Sequence, residues 1–353
     1  MYTLPVVLLR DHFDVEHSSL RSIKAIYLRP FDASSFLSDI EAMPVAVRRS
    51  LESLTLCLQT SRMPLDDGMP ITHDMLPQLK HLVVKGPAWP SLACDVDLLK
   101  GLDTLILGSR MRNYGSVNYT LNDPSQFFES LKHTRLRLLE LWPSNRTGDN
   151  DYKQSLIDYL LSSGGSTLES LTIGFIRDRS QVEVIANKLP RLQHLQIETN
   201  ESDIVFAPLT IKSLVLSSRR DKNIYYTVRT IRDHSLKSPP WTYHLSSLHL
   251  MFYQWGHSSC YVTIKMLPTL LIDVVSLNNL TMEFRSDYVD YNELLPAMCA
   301  WQQYLAAGHL ETLTLKLNPS HNDHHSQYDE VIKVLEDGYD QHPHHQVEKT
   351  LSP

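Results

Sequence analysis

A short phrase of the form apolar-x-x-apolar-x-apolar recurs from one end of the chain to the other. LESLTL begins at Leu51, LESLTI at Leu168 and LETLTL at Leu310. Looser copies fall at Ile23-Ile26-Leu28, Leu79-Leu82-Val84, Leu102-Leu105-Leu107 and Leu136-Leu139-Leu141. Others are Leu192-Leu195-Ile197, Ile211-Leu214-Leu216, Leu245-Leu248-Leu250 and Leu277-Leu280-Met282. Of these eleven copies, ten carry leucine at the middle position, where any aliphatic residue would satisfy the pattern. The middle positions advance by roughly 19 to 34 residues, about 29 on average, a spacing that belongs to stacked repeats. The closing apolar-x-apolar step is a strand signature, since period two places both residues on one face. The first apolar residue enters the same core from the preceding turn. One unit alone cannot bury its apolar edge, so neighbours stack and their strands become a parallel sheet.

Parallel strands need crossovers, and the intervening segments read as helices. Residues 124–133 follow Asp123 as a cap, with Pro124 in the first turn. Residues 151–163 end at Gly164-Gly165, a helix stop. Ser180 and Glu183 make a capping box before VEVIANKL. Asn292 opens a helix to about Ala307, with Pro296 inside it, and YDEVIKVL from Tyr328 reads as a short amphipathic helix. The fold class expected is α/β: an arc-shaped solenoid of about eleven parallel strands on its concave side, with helices on the convex side.

Composition narrows the functional classes. The 353 residues are 42% hydrophobic and 21% charged, with a formal charge of −7. Such a balance gives no global attraction to nucleic acid or anionic lipid. Cys57, Cys94, Cys260 and Cys299 form no CxxC pair, so neither a disulfide framework nor a structural zinc site is expected. No apolar run approaches the ~18 residues of a membrane span, and MYTLPVVLL lacks the basic start of a signal peptide. A cytoplasmic or nuclear location follows as the expectation.

The repeats resemble the leucine-rich-repeat family, whose consensus is LxxLxLxxN. Leu192-Leu195-Ile197-Asn200 and Leu310-Leu313-Leu315-Asn318 match in full; Pro87, Arg110, Arg219, Tyr253 and Arg285 replace the asparagine elsewhere. The resemblance covers about residues 20–318. The irregular spacing is most similar to the substrate-binding half of F-box/leucine-rich-repeat proteins, adaptors of cullin-type ubiquitin ligases. It implies a protein partner, and a cullin-linker protein as a second one. Leu4-Pro5-Val6-Val7-Leu8-Leu9 through Phe13 resembles an F-box opening, but Val7 and His12 depart from it and the later F-box helices have no room. The alternative makes 2–13 a strand capping the first repeat. The domain plan is therefore a capping segment at 1–19, repeats over 20–318 and a histidine-rich cap and flexible tail at 319–353.

Residues flanking the last apolar position of each strand point away from the core. The inner flanking positions include Tyr27, Thr55, Gln196, His249 and Thr281; the outer ones include Cys57, Lys85, Trp142, Met251 and Glu283. Tyr27, Trp142, His249 and Met251 are the candidate partner contacts, Trp142 because aromatic side chains on an exposed sheet are enriched at binding hot spots. It could equally fold under the 143–150 loop. Arg110, Arg112, Arg177, Arg179, Arg219 and Arg220 follow the strands and share one rim, suited to a partner with an acidic surface. Asp149, Asp151, Asp178 and Asp221 interleave with them, so a solvated rim with local ion pairs is the alternative. Tyr114, Tyr225 and Tyr226 near the stripe are the one pointer to RNA, which is not the partner expected.

Six histidines lie between His321 and His345 without a cysteine, a low-complexity run with adventitious metal affinity and no metal site or cofactor expected. GxSxG, HExxH, P-loop and GxGxxG motifs are absent, so no enzyme is expected. Three functions remain: a protein-recognition module, for which a ubiquitin-ligase adaptor is the sharpest form; an assembly subunit of a larger complex; and, third, a hydrolase or metal enzyme using the histidine-rich end.

Overall fold

The computed structural model describes residues 3–5, 20–27, 40–58, 71–85, 95–108, 124–141, 150–176, 189–199, 211–218, 221–236, 244–252, 258–284, 291–306, 310–317, 325–339 and 346–351. The chain is α/β and divides into two compact units, 1–174 with 188–191, and 175–187 with 192–353. The first carries strands β1 (Thr3–Pro5), β2 (Ser22–Tyr27), β3 (Ser53–Leu58), β4 (His81–Lys85), β5 (Thr104–Leu107), β6 (Leu138–Leu141) and β7 (Ser170–Ile176). Its helices are α1 (Val45–Ser50), α2 (Val96–Gly101), α3 (Pro124–Leu131) and α4 (Asn150–Leu160). The second carries β8 (His194–Thr199), β9 (Ser213–Ser218), β10 (Ser247–Phe252), β11 (Asn279–Phe284), β12 (Thr312–Leu317) and β13 (Gln346–Leu351). Helices α5 (Asp221–Ser235), α6 (Ser258–Leu271), α7 (Tyr291–Ala306) and α8 (His325–Tyr339) alternate with them.

Within each unit the strands are parallel and lie in chain order. Each new strand is added at the same edge, so right-handed crossovers put the helices of a unit on one face. The phrase residues align across strands. In the first unit Leu54 pairs with Leu82, Leu82 with Leu105, Leu105 with Leu139 and Leu139 with Leu171. In the second Leu195, Leu214, Leu248, Leu280 and Leu313 do the same. From the second copy to the last, the three apolar positions of every phrase are at most 3% exposed.

Backbone bonding repeats in the same way just before the strands. One carbonyl accepts two N–H groups of the next repeat: Arg21 O from Glu52 and Ser53, Glu52 O from Lys80 and His81, Lys80 O from Asp103 and Thr104. In the second unit Lys212 O accepts from Ser246 and Ser247, Ser246 O from Asn278 and Asn279, and Asn278 O from Glu311 and Thr312. Hydroxyls add a second rung. Ser50 Oγ, Thr167 Oγ1 and Ser276 Oγ, each just ahead of a phrase, donate to the carbonyls of Leu20, Leu136 and Leu245, which open the preceding phrases.

Two rows of this pattern correct the first copy. Ile23 pairs with Leu54 and Ala25 with Leu56, and Ser50 reaches Leu20. The first phrase is therefore Leu20-Ile23-Ala25, three residues ahead of Ile23-Ile26-Leu28. Both triplets have the same spacing; only the second has large side chains throughout, which is why sequence favours it. A shift of three is odd, and an odd shift exchanges the faces of a strand.

The helices also differ from expectation at their ends. α3 and α4 start within a residue of where the sequence places them but end early, at Leu131 and Leu160, and α8 runs beyond Tyr328–Leu335 on both sides. α1, α2, α5 and α6 have weaker sequence signals; α6 even contains Pro268. The segment after Ser180 lies outside the described residues. Of the two readings of 2–13, Thr3–Pro5 is strand, parallel to β2. The expected tail carries β13, in register with β12 from Gln346 against Thr312 to Leu351 against Leu317.

Candidate binding face

The sheet face opposite the leucines is where flanking residues gather. In the second unit the inner row reads Gln196, Val215, His249, Thr281 and Thr314, and the outer row Glu198, Ser217, Met251, Glu283 and Lys316, each paired with its neighbour. The inner row is half-buried except for buried Thr314. The outer row is closed: Glu198, Ser217, Met251 and Glu283 are buried, and only Lys316 at its end is half-buried.

His249 and Glu283 link the two rows. Glu283 sits one strand over and two residues further along than His249, the diagonal that brings long side chains together on one face. His249 Nε2 lies 3.0 Å from Glu283 Oε2, within ion-pair reach, although the ring N–H does not line up as a directed hydrogen bond. A buried carboxylate needs polar company, and the His249 imidazole supplies part of it for Glu283. In the same inner row, Thr281 beside His249 and Gln196 two strands away add hydrogen-bonding groups to the half-buried strip.

Of the candidate contacts, His249 belongs to this strip. Met251 does not: at 5% exposed it is part of the closed outer row, between Ser217 and Glu283, and cannot serve as an exposed contact. Small Ser217 on one side leaves room for the long thioether to pack down. Tyr27 is displaced by the register of the first phrase. It pairs with Leu58, whereas the inner position beside Thr55 belongs to Lys24. Trp142, Arg110, Arg112, Arg177, Arg179, Arg219 and Arg220 lie outside the described residues. Glu283 was not among the contacts chosen from sequence; its diagonal relation to His249 follows once both strands are registered on Leu248 and Leu280.

The helical side of the first unit holds a polar furrow of about 280 Å³ between α3 and α4. Ser125 Oγ and Ser155 Oγ meet there at 3.1 Å, and Gln154 donates to Asp158. Lys132 bonds Glu129, which holds its ammonium pKa above the usual lysine range. These groups satisfy one another and leave no convergent chemistry. Among the described residues no group of three or more histidine, cysteine or acidic side chains could hold a metal ion, and no helix is long and apolar enough to cross a membrane. Comparison with protein-family models and with curated proteins finds no match for the chain.

Proposed function

We propose that each unit is a stack of leucine-rich repeats and that the chain recognises another protein through the sheet face opposite its leucines. The observation that carries this reading is the registered row of buried leucines backed by helices on one face, which leaves the half-buried strip of Gln196, His249 and Thr281 on the other. A strip on paired strands is ordered before binding, so association costs little conformational entropy. Inner-row residues supply the contacts, while the outer row, closed over Met251 and Glu283, sets their positions. Service as a substrate-recognition adaptor of a ubiquitin ligase is the sharpest form of this proposal. It requires a cullin-linker protein bound through residues 1–19.

The test is affinity purification of the full chain followed by mass spectrometry, repeated with Gln196→Arg and Thr281→Arg. Both positions are half-buried, so the long cation blocks the strip without entering the core. Loss of the same stoichiometric partner from both variants, with an unchanged circular dichroism spectrum, is the expected result. Retention of that partner by both variants would overturn the reading. A cullin-linker protein that copurifies with the whole chain, and is lost on deleting 1–19, would establish the adaptor form.

A further inference from the structure

The helical side of the second unit has an apolar strip with no business in water. On α6, Val262 is 55% and Met266 41% exposed, with exposed Thr269 in line after them. On the adjoining helix α7, Pro296 and Cys299 are exposed as well. Isolated exposed hydrophobics are ordinary; a contiguous strip spanning two packed helices marks an interaction surface. Lys265 and Glu293 are the only exposed charges on these two helices among the described residues.

What fits the strip is written in the charges on either side. α5 packs against α6 on one flank and α8 against α7 on the other. α5 carries Lys222, Arg229 and Arg232 against Asp221 and Asp233, a small excess of cations. α8 presents Asp329, Glu330, Glu336 and Asp337 against Lys333, an excess of anions. A surface with an apolar centre, a basic flank and an acidic flank complements itself when turned by half a revolution.

We infer that the second unit pairs with a second copy of the chain through α6 and α7, about a two-fold axis over the groove between them. The axis runs along that groove and sets α6 parallel to the partner's α7, so the Val262–Met266 strip covers Pro296 and Cys299. It also sets basic α5 opposite acidic α8, twice in each dimer. Such an interface is isologous and closes at two copies, because each patch is consumed by its twin. Opposed flanks disfavour the antiparallel arrangement, about an axis across the helices, in which α5 would meet the partner's α5 and α8 its α8. This surface lies on the helical side and does not depend on the binding strip of the sheet.

Sedimentation equilibrium of the full chain tests the inference. The wild type is expected to be a dimer at micromolar concentration, and Val262→Lys with Met266→Lys a monomer that melts at the wild-type temperature. Lys222→Glu with Arg229→Glu should weaken self-association about tenfold or more, as should Glu330→Lys with Glu336→Lys, since opposed charges on matching patches become like charges. An equimolar mixture of these two charge variants should form a mixed dimer and recover most of the affinity. A wild type that stays monomeric overturns the inference. So does a dimer indifferent to the Val262 and Met266 changes, or a mixture that associates no better than its components.

Discussion

The indole Nε1 of Trp301 on α7 donates to the carbonyl of Ile264 on α6 at 3.2 Å. That carbonyl would ordinarily receive the N–H of residue 268, but residue 268 is proline and has none. The neighbouring repeat thus supplies the bond that the helix cannot make for itself, from a tryptophan buried completely and packed edge-on to Tyr304. Trp301→Phe keeps most of the volume and leaves the carbonyl unpaired, so it should cost about 1–3 kcal/mol in chemical denaturation. In a Pro268→Ala background the restored N–H serves Ile264, and the same substitution should cost less than half as much. Equal costs in the two backgrounds would show that the hydrogen bond is not the source of the effect.

The register of the first repeat is testable by truncation. Ile23 is buried and pairs with Leu54, whereas Ile26 pairs with Cys57. Ile23→Ala should lower stability by about 2–5 kcal/mol, the range for a large aliphatic residue removed from a core. Ile26→Ala should cost well under half of that. The reverse order would restore Ile23-Ile26-Leu28 as the phrase.

Gly108 and Gly164 are each demanded by geometry. Gly108 has a φ of 94° and donates its N–H to Val84 O at 2.9 Å, so Gly108→Ala puts a β-carbon where the left-handed backbone disfavours one. Gly164 has an ordinary helical φ, but a β-carbon there would come within 2.5 Å of Leu131 O at the end of α3. Gly164→Ala must push two repeats apart and should destabilise by about 1–3 kcal/mol, as overpacking does. Thermal melts of the two variants check both.

Tyr159 gives a pH dependence. Its ring stacks on Phe128, and burial pushes the phenol pKa well above the usual tyrosine range. The folded state therefore holds this proton more tightly than the unfolded state. The contribution is whole below the unfolded pKa of about 10 and is lost as pH rises beyond it, because unfolding then releases the proton. The unfolding midpoint should fall as pH climbs past that value, and Tyr159→Phe should flatten the fall. An unchanged alkaline slope in the variant would assign the loss to other groups.

On the sheet face, His249→Ala removes the group beside the buried Glu283 carboxylate. Glu283→Gln removes the charge but keeps the shape. His249→Ala should be the more destabilising of the two, and the double variant should cost less than the sum of the singles, as expected for groups in contact. Denaturant titration of the four proteins measures the coupling; strict additivity would mean that each side chain is held by other neighbours.

Much of this was legible in the chain because period-two patterning is local. A leucine two residues from another leucine in a strand must share its face, whatever surrounds it, and the phrases from Leu51 to Leu315 all lie in the core. α3 was legible for a similar reason, since Pro124 marks its start by backbone chemistry alone, whereas α4 ends at Leu160, ahead of Gly164-Gly165. α6 was not, because Pro268 argues against a helix until Trp301 is seen to repair it. Sequence also determined which residues of a strand leave the core, His249 and Met251 among them. It did not determine which of those reach solvent. Pairing decided that: small Ser217 beside Met251 lets it sink, and the diagonal from His249 finds Glu283 only when two strands 32 residues apart are laid in register. The shift at Ile23 belongs to the same class, since two triplets of equal spacing compete and only bonds to the next strand choose between them. The charge order across α5 to α8 likewise becomes visible only when helices distant in sequence are set side by side. Local chemistry fixes the face on which a side chain lies; its neighbours there are fixed by contacts that close long loops, and no short stretch of sequence contains them.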